Sequence, residues 1–480
     1  MHTFLNDARH VARLLASSLP AAIPVPKAIG VALSGGPDST ALAYLLHRHA
    51  LDVVSHANSK IERVTALIID HGLRAGSAKE AEQVLRWSQV LGIQCEVQAV
   101  PWGEPPFPSF PNGTSIEATA RTARIILYKR FLRKHGLKHL YLAHHLDDQV
   151  ETAYLRQRRG TASALALPGL RSFTRLPLVP DPVGPDDEQL ALVRPFLSVT
   201  KSELVNYCKR HNLNYVTDPT NADPTYTARN AFRSGLNAMQ ARSTLSNNDE
   251  GPVRALRQWT NRLTTRRDLL EAKVLSLLQH VARNTPVPGT CTFDPARFRS
   301  QRPEVRQLLL SRVARMVSPA TNRATISPVN VLQLDRAVFG YHMTGDSGQS
   351  KITPGAGVLF TSKRKRGKVC WVVSRQPLRP AEQAALTCSL PADQWTLWDG
   401  RFWLHPMSDG DVSIVKQEEA KVSPSSRWVM PVVQSPDAAR IVQVGRTQAC
   451  KCAQSAEQKS LFSALKPGLR SVDFQVVEPV

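Results

Sequence analysis

Between Lys27 and Asn212, short apolar or β-branched runs alternate with segments of helical periodicity, and this alternation restricts the fold more than any other feature of the chain. Strands separated by crossover helices lie parallel in one sheet, so the reading is an α/β domain. Strands are expected at 28–33, 63–70, 95–100 and 139–144, with helices at 40–49, 78–92, 115–136 and 200–212. The Pro/Gly-rich stretches 101–113 and 175–189 continue neither element and read as surface loops. After a Ser/Asn-rich linker at 242–251, a helix from Val253 to Gln279 sets Val253, Leu256, Leu263, Leu270, Val274 and Leu277 on one side. That leaves Arg254, Arg257, Arg262, Arg266 and Arg267 for the rest of its surface, as a solvated or a polyanion-binding face. Past Gly340 the pattern turns to short strands at 357–360, 368–373 and 396–406, the last a hairpin around Asp399-Gly400. The expected divisions are 1–27, 28–240, 250–340 and 341–480: an N-terminal extension, the α/β domain, a helical basic region and a smaller α+β or mainly β region. The extension, with Arg9 and Arg13 among Ala, Leu and Ser, is either a short mitochondrial presequence or a first amphipathic helix.

Composition narrows the class of partner. Lys and Arg number 61 against 39 Asp and Glu, a formal charge of +22 over 480 residues, which predicts a polyanionic partner such as nucleic acid or an anionic surface. The seven cysteines are scattered, with no Cys-x-x-Cys pair to hold zinc or an iron–sulfur cluster, and imply a reducing compartment. Every apolar run is broken well short of the ~20 residues that a membrane helix needs.

Two motifs carry chemistry. The first strand runs into Ser34-Gly35-Gly36-Pro37-Asp38-Ser39 and then into a helix. Glycines that turn backbone N–H groups inward, serine hydroxyls and a helix N-terminus together suit a phosphate or pyrophosphate, with Asp38 where a magnesium ion is needed. This is neither the Walker pattern nor the dinucleotide G-x-G-x-x-G. The second motif, His144-His145-Leu146-Asp147-Asp148-Gln149-Val150-Glu151-Thr152, follows another strand. A helix beginning near Leu146 puts three carboxylates at one end, which costs stability unless a cation offsets it: Mg²⁺, or a substrate ammonium. The alternative is a capping cluster favoured by the helix dipole. A third strand end supplies Asp70-His71-Gly72, and strand ends of parallel sheets are where ligands bind.

These blocks together resemble the tRNA(Ile)-lysidine synthetase family of the N-type ATP pyrophosphatases. Ser34 to Ser39 is similar to the family's PP-loop. Asp70 to Arg74 with Ser77, Glu80 and Ala81 resembles its DHGLR block. Glu117, Ala118, Ala120, Arg121 and Arg124 resemble its EA-x-AR-x-x-RY block, with Ile125 in place of Tyr. His144 to Thr152 matches HHxDDQxET, and Leu155, Arg156, Arg159 and Gly160 match LRxxRGxG, Ala162 replacing its last Gly. Arg194, Pro195, Leu197 and Lys201 match an RP-x-L segment with a nearby Lys; Asp218, Thr220, Asn221, Tyr226, Arg229, Asn230 and Arg233 match the last block. The ordered resemblance covers about residues 28–240 and fades past 250, apart from an echo in Trp398 to Phe402.

The resemblance implies an adenine nucleotide alpha hydrolase-like parallel sheet with flanking helices, and a ligase that uses ATP and Mg²⁺. Its members adenylate the wobble cytidine of a tRNA(Ile) with a CAU anticodon and join L-lysine to C2, releasing AMP and pyrophosphate. It implies ATP binding by Ser34, Gly35, Gly36, Pro37, Asp38, Ser39, Asp70 and His71, and metal at Asp38 and Asp147. It further implies L-lysine at Asp148 and Glu151, catalysis by Asp38, His144, Asp148 and Glu151, and tRNA contacts at Arg121, Arg124, Arg194, Arg229, Asn230 and Arg233. Lys363 to Lys368 and the C-terminal region are further candidate tRNA contacts, and homodimer assembly is left open. Competing readings are a PP-loop tRNA thiolase, which would need reactive cysteines near the site, a small-molecule ligase with the same loop, and a non-catalytic RNA-binding protein. Pro-rich insertions, high charge and the N-terminal segment favour a mitochondrion over a bacterial-type cytoplasm.

Overall fold

The computed structural model describes residues 8–53, 61–111, 116–158, 170–178, 180–216, 231–232, 234–235, 238, 252–282, 290–319, 326–340, 350–365, 368–391, 394–406, 410–413, 432–435, 438–443 and 472–476. They fall into two compact units. The first is built mainly from residues up to Thr265, and the second mainly from Arg266 onward.

The first unit is a six-stranded sheet in the order β3-β2-β1-β4-β6-β5. Its strands are β1 (Ala28–Ala32), β2 (Arg63–Asp70), β3 (Gln94–Ala99), β4 (His139–Tyr141), β5 (Phe173–Arg175) and β6 (Ala191–Val193). All neighbours pair in parallel except the edge strand β5. The helices are α1 (Ala8–Ser17), α2 (Pro37–Val53), α3 (Ser77–Val90), α4 (Ile116–Lys134), α5 (Leu146–Arg158) and α6 (Lys201–Arg210). The helices and the four expected strands appear where the periodicity puts them. Strands β5 and β6 were not anticipated, because β5 touches and β6 adjoins a Pro-rich stretch and each is only three residues long.

The strand order reverses at β1: β2 and β3 lie on one side of it and β4 on the other. At such a switch point the connections after β1 and β4 leave in opposite directions and open a crevice above the carboxyl ends. The three motif-bearing strand ends, of β1, β2 and β4, are therefore neighbours.

Helix α1 is part of this core. Val11, Leu15 and Leu19 are buried in one cluster with Ile29, Leu46 and Leu204, while Arg9 and Arg13 face solvent or its margin. A boundary at residue 28 consequently cuts the domain, since its apolar face has no other place to go.

In the second unit, β7 (Cys291–Phe293), β8 (Lys351–Gly355), β9 (Val358–Lys365) and β10 (Lys368–Arg375) form an antiparallel sheet, β7-β10-β9-β8. Against it pack α8 (Pro303–Val317) and α9 (Pro328–Phe339), sharing one core of Leu309, Val313, Leu334, Phe360 and Trp371. The expected boundary near residue 340 is thus corrected: β7 pairs across it with β10, a long-range contact that periodicity cannot show. Further antiparallel sheets follow, including the hairpin β12 (Thr396–Trp398) and β13 (Phe402–Pro406). Its turn residues Asp399 and Gly400 both have positive φ, 49° and 62°, and with Arg401, whose N–H donates to the Trp398 carbonyl, they join the paired residues Trp398 and Phe402. Of the basic run, Lys363, Arg364 and Lys365 pair with Cys370, Val369 and Lys368 where β9 and β10 meet.

Helix α7 (Pro252–Ala282) buries Thr260, Arg267, Val274 and Val281, a strict seven-residue stripe. Two arginines assigned to its outer face therefore turn inward. Arg267 is buried against Asp268, and Arg257 enters the site below.

Candidate active site

The phosphate-type turn forms as its residues demand. Gly35 has φ +82°, and a Cβ built on it would lie 2.4 Å from Val84 Cγ2, so the position excludes any side chain twice over. The Gly35 carbonyl accepts from Val216 N at 2.8 Å, which fixes the loop from outside. The hydroxyls of Ser34 and Ser39 lie 3.1 Å apart, Ser39 Oγ also accepts from Ser34 N at 3.1 Å, and it donates to the Gly36 carbonyl. They close the loop on itself and leave ligand donation mainly to the backbone. Pro37 opens α2 at a position that needs no N–H, and Asp38 stands in its first turn, where the helix dipole favours a carboxylate.

Helix α5 begins at Leu146, so Asp147 and Asp148 occupy its first turn. Asp148 Oδ2 accepts from the His145 backbone N–H at 3.0 Å, which realises the capping role. It has a second relation too, 3.5 Å from His145 Nε2, and the same nitrogen lies 3.6 Å from Asp38 Oδ2. Asp147 Oδ2 is 3.8 Å from His145 Nδ1. One imidazole, 5% exposed, thereby joins the two motifs. Burial works to lower the His145 pKa, but Asp38, Asp148 and Asp147 outweigh it and raise it above the ordinary value.

Two further cations complete the cluster. Lys201, first residue of α6, brings Nζ to 3.7 Å from Asp38 Oδ2 and donates its backbone N–H to Asp147 Oδ2 at 2.9 Å. Arg257 Nη2 lies 2.8 Å from Asp147 Oδ1. Asp38, Asp147 and Asp148 are met by His145, Lys201 and Arg257. Lys201 and Arg257 offset part of the crowding of these carboxylates. Glu151 is 3% exposed, on the inner side of α5.

His144 stands in the opposite electrostatic position to His145. Burial and the Arg194 guanidinium push its pKa down to about 4, so it is neutral at pH 7. Arg194 Nε donates to His144 Nδ1 at 3.2 Å, which leaves the imidazole proton on Nε2. Arg194, expected among the tRNA contacts, is 7% exposed and spends a second nitrogen on the Arg171 carbonyl and Thr174 Oγ1. It orients His144 from within. Arg121 and Arg124 are exposed on α4; Arg124 Nη2 lies 3.4 Å from His71 Nε2. Asp70 Oδ1 accepts from Gly72 N at 2.9 Å, so it shapes the turn beyond β2. Arg229, Asn230 and Arg233, with Asp218, Thr220, Asn221, Tyr226, Arg159, Gly160 and Ala162, lie outside the described residues.

The sequence reading named Lys201 only as part of a motif, gave His145 no role of its own, and put Arg257 on a solvated or polyanion-binding face. The histidine pair was the available signal for His145; nothing local marks Arg257, whose place depends on the chain returning to the site 110 residues after Asp147. Cys208, on α6, donates to the Pro37 carbonyl at 3.3 Å, and burial followed by the charge of Asp38 pushes its thiol up to about 12. A thiol beside the loop is thus present but protonated, contrary to what thiolate chemistry would need.

The histidines also set an acid limit on stability. Burial first, then neighbouring cations, holds His71, His139 and His144 at about 4 in the fold. Their unfolded forms take up protons from about pH 6.5 downward, whereas the folded forms do not, so the unfolded state gains protons and stability falls between about pH 6.5 and 4. His145, with a raised pKa, contributes in the reverse sense, and its stabilisation is lost only as pH rises through its folded pKa. Burial lowers His47 and His211 as well, so five lowered histidines against one raised give a urea midpoint lower at pH 5 than at pH 7; an unchanged or higher midpoint would count against these shifts.

Comparison with known proteins places this geometry among relatives. The PP-loop domain family matches residues 5–240. A "Probable tRNA(Ile)-lysidine synthase" of Schizosaccharomyces pombe is 27% identical over 387 residues, 78% of this chain and 77% of that protein. A tRNA(Ile)-lysidine synthase of Methylobacterium nodulans is 31% identical over 335 residues, 69% of this chain and 87% of that protein. One of Bradyrhizobium diazoefficiens is 34% identical over 212 residues, and there the matched region spans 52% of the relative.

Proposed function

The chain belongs to the tRNA(Ile)-lysidine synthase family, and we propose that it joins the ε-amine of L-lysine to C2 of the wobble cytidine in a CAU-anticodon tRNA(Ile) at the expense of ATP. The observation that carries the reading is the union of the phosphate turn and the carboxylate helix through His145, which lies within 3.6 Å of Asp38 and of Asp148. A nucleotide phosphate at the turn and an amine at the carboxylates would then meet over one cytosine.

In the first step the cytosine C2 oxygen attacks the α-phosphate and pyrophosphate leaves. Negative charge grows on the leaving group, and the backbone donors of the Ser34 to Ser39 turn with the α2 N-terminus are aimed to receive it. Among the described residues no three His, Cys, Asp or Glu side chains form a ready metal cage. Magnesium arriving on ATP needs only one or two protein carboxylates, and Asp38 fits that donor role. Bound there, the ion would neutralise charge on the phosphates. Asp147 does not share it, because its oxygens are taken by Arg257 and the Lys201 N–H.

In the second step the ε-ammonium gives up a proton to solvent, the free amine attacks C2, and AMP departs with the C2 oxygen. Asp148 and Glu151 hold the ammonium before attack. His144, neutral with its proton on Nε2, serves as a hydrogen-bond donor rather than the base that accepts this proton. Arg121 and Arg124, exposed beside the β2 end, meet the tRNA backbone. Inert Cys208 disfavours a thiolase. A mitochondrial location rests on the charge, the Pro-rich insertions and the eukaryotic S. pombe relative; a fluorescent fusion that stays outside mitochondria would reverse it.

The test is AMP release by the purified protein with and without L-lysine and an unmodified CAU tRNA(Ile) transcript, followed by nucleoside mass spectrometry. Release that requires both substrates, with cytidine gaining the mass of lysine less water, is the expected result. AMP without that gain would keep the PP-loop reading and overturn the substrate; no AMP from folded protein would favour a binding role.

A further inference from the structure

Tyr154 stands on α5, three residues past Glu151 and seven past Asp147, so it extends the helix face that carries the carboxylates. Along the axis it lies about 10 Å beyond Asp147, on the side away from the phosphate turn. Its ring stacks on Phe232, with centroids 4.4 Å apart and planes at 20°. Near-parallel stacking at this distance presents flat π surface, and Tyr154 is 38% exposed, so part of the ring is open to solvent.

We propose that the Tyr154–Phe232 pair is a stacking platform for a nucleobase of the anticodon loop, the one adjacent to the cytosine that reacts. This rests on the reading of a tRNA cytosine as acceptor. Bringing C2 of that base to the carboxylates unstacks it, and its neighbour loses a stacking partner at the same moment. An aromatic face two helical turns along α5 replaces that partner. Every base has a π face, so the platform supplies affinity and posture without base identity.

The experiment uses the full chain with Tyr154→Leu, Tyr154→Phe and Phe232→Leu. The two leucine variants should raise KM for tRNA about tenfold while leaving KM for ATP and L-lysine unchanged, and Tyr154→Phe should match the parent. Anticodon stem-loops made abasic on either side of the cytosine supply a second readout, by equilibrium binding without chemistry. The parent should bind one of the two abasic loops about tenfold more weakly than the intact loop, and Tyr154→Leu should bind that loop no worse than it binds the intact one. Additive losses, or equal loss of affinity for ATP and tRNA, would mean that the rings only pack, and would overturn the platform. A parent that binds the loops in this pattern yet transfers no lysine would leave the platform standing and defeat the functional reading.

Discussion

A chain with Asp38→Asn releases AMP about a thousandfold more slowly than the parent at saturating L-lysine and tRNA. The substitution keeps the shape of the side chain and the start of α2 but removes a full negative charge at the phosphate turn. Two effects combine. The phosphates lose the carboxylate that fits magnesium, and the cluster loses the negative charge that Lys201 Nζ at 3.7 Å and His145 Nε2 at 3.6 Å both face. His145 then loses part of what raises its pKa, so the residual activity should fall off at lower pH than in the parent. Asp38 is only partly buried, so the melting temperature should change little, which separates lost chemistry from lost fold. A rate near that of the parent would remove Asp38 from the reaction.

Gly35→Ala should be the most damaging small substitution in the first unit. The left-handed backbone costs a residue with a Cβ about 1–2 kcal/mol, and the 2.4 Å approach to Val84 Cγ2 adds about 1–3 kcal/mol of overpacking. The sum, about 3 kcal/mol, corresponds to a melting temperature about 10 °C lower, with ATP binding lost because the turn cannot close around a phosphate. Gly35→Ala combined with Val84→Ala removes the clash but not the strain. It should recover part of the stability and little of the ATP affinity; recovery of both in full would show that packing alone requires glycine here.

The distribution of what was readable follows the range of the forces involved. Strand β2 was placed without error at 63–70 because six consecutive β-branched or apolar residues, Val64 to Ile69, lie between Arg63 and Asp70. The helix starting at Leu146 was anticipated from the same local chemistry that puts Asp148 over the His145 N–H. By contrast β7, three residues long, is a strand only because β10 lies beside it, in register at Val373 and Cys291, 82 residues apart in the chain.

The site divides in the same way. Local sequence determined the phosphate turn, its glycine and the acidic first turn of α5, because each is set by hydrogen bonds and sterics within a few residues. Strand alternation also determined that these elements share one sheet edge. Only the tertiary structure decided the charge balance. It brings Lys201 and Arg257 to Asp38 and Asp147 across 163 and 110 residues, turns Arg194 inward against His144, and shifts the pKa values of two adjacent histidines in opposite directions. Coulombic interactions and desolvation depend on which charges the fold makes neighbours, and the order of residues along the chain does not contain that distance.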